Sequence, residues 1–221
     1  MTQDPHRDAH PHAGEHHHAH GHPHTPIELG DAAVSHYEVL ETAVRELLIG
    51  RGVFTADEVR AEVELMDARD PSRGAEIIAR AWTDPAFKAR LLASGRQAAA
   101  EFGIEVGAPE LVVVENTPAV HNLIVCTLCS CYPRMVLGRP PDWYKSRPYR
   151  SRAVREPRAV LREFGTEVSD AVEVRVHDST ADMRYLVLPQ QPVGTAGWSA
   201  ERLAALVTRD SMIGVARARQ P

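Results

Sequence analysis

The protein has 221 residues, of which 43% are hydrophobic and 25% charged, a balance that suits one large domain, or a domain with an arm, around a normal buried core. The net charge is −5, with 25 Lys+Arg against 30 Asp+Glu, which argues against the concentrated basic face that a nucleic-acid binder needs. No apolar run approaches the roughly 20 residues that cross a bilayer, and no apolar signal segment stands near the start, so neither membrane insertion nor export is expected.

Residues 1–26 form a compositional zone of their own. Nine of the twelve histidines lie between His6 and His24, among Pro, Asp, Gly and Ala. So little apolar surface cannot offset the entropy of ordering, and the segment reads as a disordered leader whose imidazoles could loosely hold a late transition metal. Helical patterning starts at Ser35. Ser35-His-Tyr-Glu38 and Thr55-Ala-Asp-Glu58 are capping-box sequences, each followed by apolar residues at helical spacing. Further helices are expected over 74–82 and 85–101, with Pro85 in a first turn and Gly103 as the stop. Residues 27–104 therefore read as a helical arm that lies on a partner.

The period then changes. Leu111–Val114 and Leu123–Val125 read as short buried strands on either side of an Asn116-Thr-Pro118 turn. Residues 139–152, rich in Pro and Arg, read as irregular. Pro157 opens a helix to Phe164, Val172–Val176 and Tyr185–Leu188 read as strands of a small sheet, and Ser199 caps a last helix over Ala200–Thr208. The fold class is α+β: a helical N-terminal arm, then a metal-binding α+β domain over 105–221 in which helices flank a small sheet.

The three cysteines, Cys126, Cys129 and Cys131, all fall in one short segment. A disulfide scaffold would spread them out, so the cluster points to a reducing cytoplasm and a metal. Structural zinc prefers two separated pairs, and His121 is poorly phased to be a fourth ligand. A redox CxxC leaves the third cysteine unexplained, and a cubane iron–sulfur cluster needs a fourth. The spacing suits a chelating claw. Cys131 closes a five-membered ring through its sulfur and its own amide nitrogen, the Ser130 amide adds a second, and Cys129 closes a six-membered ring onto that amide. The sulfur of Cys126 completes five donors and leaves one face open. Deprotonated amides need a strongly polarising ion, low-spin Co(III) or Fe(III), and an open position suits catalysis.

The segment Val125-Cys-Thr-Leu-Cys-Ser-Cys-Tyr-Pro133 resembles the metal motif of the nitrile hydratase α subunit, which the catalytic subunit of thiocyanate hydrolase shares. Further blocks are similar as well: Val114-Glu-Asn-Thr117, Pro140-Pro-Asp-Trp-Tyr-Lys145, Tyr149-Arg-Ser-Arg152, Arg155-Glu-Pro-Arg158 and Val207-Thr-Arg-Asp-Ser-Met-Ile-Gly214. The resemblance implies metal ligation by Cys126, Cys129, Ser130 and Cys131, with Cys129 as a sulfinate and Cys131 as a catalytic sulfenate, the nucleophile being either that sulfenate oxygen or metal-activated water. It implies non-corrin Co3+ rather than iron, because Thr127 stands where the iron type usually has Ser. It also implies one or more β-type partner subunits, in a heterodimer, a heterotetramer or a larger assembly, and a small-molecule nitrile as substrate. Two departures bear on the substrate pocket, to which Thr127 and Arg134 are assigned. Tyr132-Pro133-Arg134-Met135 replaces the usual Tyr-Pro-Trp-Pro and is similar to thiocyanate hydrolase instead, and Gly107 aligns with a glutamine common near the nitrile site. Asp178 and Arg184 fall in matching blocks and read as interface or supporting residues. The alternatives to nitrile hydration are thiocyanate hydrolysis and a non-catalytic role in binding or delivering cobalt.

Overall fold

The computed structural model of the protein describes residues 35–221; the expected leader, 1–26, and the start of the expected arm lie outside the described residues. Two capped helices come first, α1 (His36–Gly50) and α2 (Ala56–Asp67). Ser35 and Thr55 accept hydrogen bonds from the amides of Glu38 and Glu58, whose carboxylates accept in return from the two cap amides. Neither helix buries a residue.

Helices α3 (Ser72–Thr83), α4 (Pro85–Ala93) and α5 (Gly95–Ala100) behave differently. Ile77, Ile78, Phe87, Leu91 and Ala98 are buried in the same core as Leu123, Ile124 and Leu186 of the strands. Full burial of each large apolar side chain stabilises by roughly 1.5–3 kcal/mol. These three helices, placed in the arm on sequence grounds, are part of the main body. The single helix expected over 85–101 is broken at Ser94, which is extended (φ −154°) and caps α5 by accepting from the Gln97 amide. The break lets α5 lie against the next strand: a Cβ on Gly95 would come within 2.5 Å of the Leu111 carbonyl oxygen.

Four strands follow among the described residues: β1 (Glu110–Glu115), β2 (Val120–Val125) and, after a helical insertion, β3 (Glu173–Asp178) and β4 (Met183–Leu188). They form two separate parallel ladders instead of one small sheet, β1 with β4 and β2 with β3. The turn between β1 and β2 joins strands that belong to different ladders. Between β2 and β3 lie α6 (Arg134–Leu137), α7 (Asp142–Lys145), α8 (Arg147–Arg155) and α9 (Pro157–Glu163). Residues 139–152, expected to be irregular, are thus mostly two short helices. Pro148 falls in the first turn of α8, where its missing N–H costs nothing, and Ser146 caps that helix by accepting from Tyr149. The last expected helix, over Ala200–Thr208, is shorter, α10 (Ala200–Ala204), and Thr208 instead caps a further helix, α11 (Arg209–Ile213). The architecture is α+β. No helix among the described residues is long and apolar enough to cross a membrane.

Candidate metal centre

Strand β2 ends at Val125, and the residues from Cys126 to Cys131 form the loop that leads to α6. The Cys126 sulfur lies 3.4 Å from that of Cys129, which lies 3.3 Å from that of Cys131. All three fall within 4.8 Å of one another, and none is in a disulfide. Cys126 is buried, Cys131 half-buried and Cys129 exposed. With metal–sulfur bonds of about 2.3 Å, two sulfurs at right angles around an ion stand about 3.3 Å apart, and two at the tetrahedral angle about 3.8 Å. The observed spacings match the right-angled arrangement. They fit the claw better than tetrahedral zinc.

The backbone is arranged to the same end. The Cys129 amide donates to the Cys126 sulfur at 3.3 Å, and the Ser130 and Cys131 amides are directed at the Cys129 sulfur. Those last two nitrogens are the ones the claw requires. The Cys129 thiol is pulled down to about 7, first by its hydrogen bond with Cys131 and then by that with Cys126. Cys131 is pushed up to about 12, first by burial and then by keeping its proton to donate the shared hydrogen bond to Cys129.

Three side chains distant in sequence hold the loop. Asp178, at the end of β3 and in register with Val125, accepts from the Thr127 amide at 2.9 Å and the Thr127 hydroxyl at 2.6 Å. Tyr144 of α7 donates to the Cys131 carbonyl at 2.9 Å. Arg150 of α8 donates to the Leu128 carbonyl at 3.0 Å and more distantly to that of Thr127. Sequence reasoning gave Tyr144 and Arg150 no role, although both stand in blocks quoted for the family resemblance. Asp178 was flagged only as a supporting residue.

A cavity of about 350 Å³ opens on Cys129, Ser130 and Cys131. Val106, Pro109, Leu111 and Val136 give it apolar walls, and Arg134 and Arg184 bring two guanidinium groups. Arg184 lies close enough to Cys131 to favour its thiolate. Arg134 is exposed and stands at the cavity as the sequence suggests. Thr127 is not in its wall and is engaged with Asp178 instead. His121 is buried with its Nε2 on the Gly214 carbonyl at 2.8 Å, so it takes no part in the cysteine cluster. Gly107 has φ +81°, a left-handed conformation that glycine adopts without strain.

The family described as nitrile hydratase, alpha chain, matches residues 35–216. The chain is 51% identical over 176 residues to the cobalt-containing nitrile hydratase subunit alpha of Pseudonocardia thermophila, covering 78% of this chain and 86% of that one. It is 43% identical over 195 residues to the thiocyanate hydrolase subunit gamma of Thiobacillus thioparus, covering 83% and 80%. Among solved structures it resembles a recombinant thiocyanate hydrolase with partially modified cobalt centres, with TM-score 0.79, 41% identity and coverage of 84% and 91%. It is as similar to a double mutant of the Fe-type nitrile hydratase of Comamonas testosteroni Ni1, with TM-score 0.79, 42% identity and the same coverage. A match from the first capping box to beyond α11, with the three-cysteine loop at its centre, means that this chain belongs to the nitrile hydratase alpha-chain family.

Proposed function

We propose that this chain is the metal-binding catalytic subunit of a nitrile hydratase, holding non-corrin Co3+ through the sulfurs of Cys126, Cys129 and Cys131 and the amide nitrogens of Ser130 and Cys131. The observation that carries the reading is the right-angled sulfur spacing in a loop whose two amides face the same point. When bound, such an ion supplies Lewis acidity at a position open to the cavity. In the overall reaction the oxygen of water bonds to the nitrile carbon, both its protons end on nitrogen, and an amide leaves. The chain's own contribution is positional. Asp178, Tyr144 and Arg150 keep the loop rigid, Val106, Leu111 and Val136 exclude water around the substituent of the nitrile, and Cys131 presents its sulfur to the cavity. The family resemblance supports Cys129 as a sulfinate and Cys131 as a catalytic sulfenate, so intact-mass analysis should find added oxygens on their peptide and none on Cys126.

Iron is the weaker choice of metal, because Thr127 follows the cobalt type. The relatives are subunits of multi-chain enzymes, and α1 and α2 leave Leu40, Val44, Leu47 and Leu65 exposed, which supports one or more β-type partners. Three free thiols support a reducing cytoplasm. One observation favours a second reading, thiocyanate hydrolysis: among the described residues the cavity wall carries two arginines and no carboxylate, which suits an anion. The deciding experiment is to express the chain with its partner in cobalt medium, measure cobalt per complex, and assay amide formation on a nitrile panel beside thiocyanate consumption. Stoichiometric cobalt with amide formation is expected. Stoichiometric zinc, or turnover of thiocyanate alone, would overturn nitrile hydration.

A further inference from the structure

We propose that Arg150 is a positioning residue for the metal loop: it fixes the peptides between Cys126 and Cys129 from behind and places a permanent positive charge under a strongly anionic donor set. The inference rests on the metal-centre reading above. Its geometry starts in α8, which Ser146 caps and which Tyr149 ties to β2 by donating to the Ile124 carbonyl at 2.6 Å, a buried contact. The adjacent residue, Arg150, reaches past the end of that strand. One of its terminal nitrogens donates to the Leu128 carbonyl at 3.0 Å and to the Thr127 carbonyl at 3.4 Å. Neighbouring residues of one helix thus grip the last turn of the strand and the start of the loop. Their relative placement is fixed by a rigid element, as an accurately built site requires.

Two further observations separate Arg150 from an ordinary loop clamp. First, it acts on carbonyls of the residues between the first two cysteines, so a shift there turns the Cys129 sulfur away from its neighbours. Tyr144 holds the other end of the loop at the Cys131 carbonyl, and the Ser130 and Cys131 amides between these two supports face the cluster. Second, the Arg150 Nε is buried and has no partner among the described residues. An unpaired buried donor costs stability and calls for an explanation beyond packing. A set of thiolates and deprotonated amides outweighs the charge of a trivalent ion, and a guanidinium held on the loop's carbonyls adds positive charge to that which Arg184 brings to Cys131. Arg134 is exposed at the cavity mouth, and Arg184 donates to the carbonyls of Thr180 and Met183, so neither touches the loop backbone.

The test uses the full complex with its partner chain, prepared in limiting cobalt as wild type, Arg150→Met and Arg150→Lys. Cobalt per complex, the thiolate-to-metal absorption band, kcat, KM and the size-exclusion profile are read for each. Loss of a group that orients metal ligands typically costs 10–100-fold in metal affinity or activity. Arg150→Met should therefore assemble with at least tenfold less cobalt or a displaced band, and kcat should fall while KM holds. Arg150→Lys keeps the charge on a shorter stem. It should recover cobalt but keep a displaced band, because the shorter stem sets the ammonium back from the two carbonyls. A wild-type band and cobalt content in Arg150→Met would overturn the proposal. So would loss of assembly in both variants in proportion to the lost cobalt, which would assign Arg150 to folding alone. A wild-type complex without cobalt would instead overturn the metal-centre reading itself.

Discussion

Asp178 and Thr127 are the only pair described here that ties the cysteine loop to the neighbouring strand through a carboxylate, and they stand 51 positions apart in sequence. Both groups are exposed, so water competes for the bonds and their joint worth is about 1 kcal/mol rather than the full value of two charge-assisted contacts. Asp178→Ala should cost global stability roughly that amount, yet speed amide hydrogen exchange at residues 127–129 and lower kcat with little change in KM. Unchanged exchange in that segment would remove Asp178 from the loop's support. The cysteines themselves were readable because their chemistry lies within one short segment. Tyr144 and Arg150 were not, and Asp178 was readable only as an interface or supporting residue without its partner, because hydrogen bonds spanning 51, 13 and 22 positions are set by the tertiary path. Arg134 was legible as a departure, and the structure places it at the cavity. Arg134→Trp should favour small apolar nitriles over anionic substrates, by on the order of 1–3 kcal/mol in the ratio of kcat/KM values. An unchanged ratio in an intact complex would remove Arg134 from the pocket, and an unchanged ratio with weakened assembly would make it an interface residue.

Helix α1 shows what local sequence does and does not reveal. Its capping box and its apolar spacing fix the helix, and Leu40, Val44 and Leu47 recur along one side, all exposed. The pattern tells that this side wants cover and leaves open what covers it. Leu40→Glu with Leu47→Glu should leave the melting temperature of the isolated chain nearly unchanged while weakening binding of the partner chain at least tenfold, read by titration of one subunit with the other. Equal partner affinity would show that α1 is not the docking helix. Where the sequence misplaced helix ends, the cause was a small polar residue doing a different job. Ser94 stops one helix and caps the next, Thr208 caps a helix instead of ending one, and a serine or threonine inside an apolar pattern looks the same in either role. The β2–β3 ladder adds a pH dependence. His121 and His177 are held below the ordinary histidine range, chiefly by burial; His177 bonds the Asn122 side chain at 2.8 Å. The folded state therefore binds fewer protons than the unfolded state as pH falls through about 6.5. Stability should be full above that value and decline below it, and His177→Gln should flatten the decline in a series of thermal melts. A wild-type slope in that variant would show that His177 takes up its proton equally in the folded and unfolded states.

Across the whole molecule the pairing of strands was the least legible feature. Each strand could be recognised from its apolar run, but β1 pairs with β4 and β2 with β3, both in parallel. Parallel partners need long connections, and nothing in a strand's own sequence names its partner. The strand that carries the cysteines is completed from far downstream: β3 lies along it, Gly214 presses so closely on the Asn122 carbonyl that no Cβ would fit, and His121 bonds the Gly214 carbonyl. This has a consequence for the order of events during synthesis. When Cys126–Cys131 leaves the ribosome, neither β3 nor Gly214 has been made, and Asp178 and Arg150 are still to come. The nascent segment is then a linear run of soft thiols, and its choice of ion follows intrinsic affinity, which ranks copper, and nickel too, above cobalt. Only the finished chain imposes the right-angled geometry that distinguishes one ion from another. On the metal-centre reading proposed above, selection of the ion is therefore an event of the completed polypeptide.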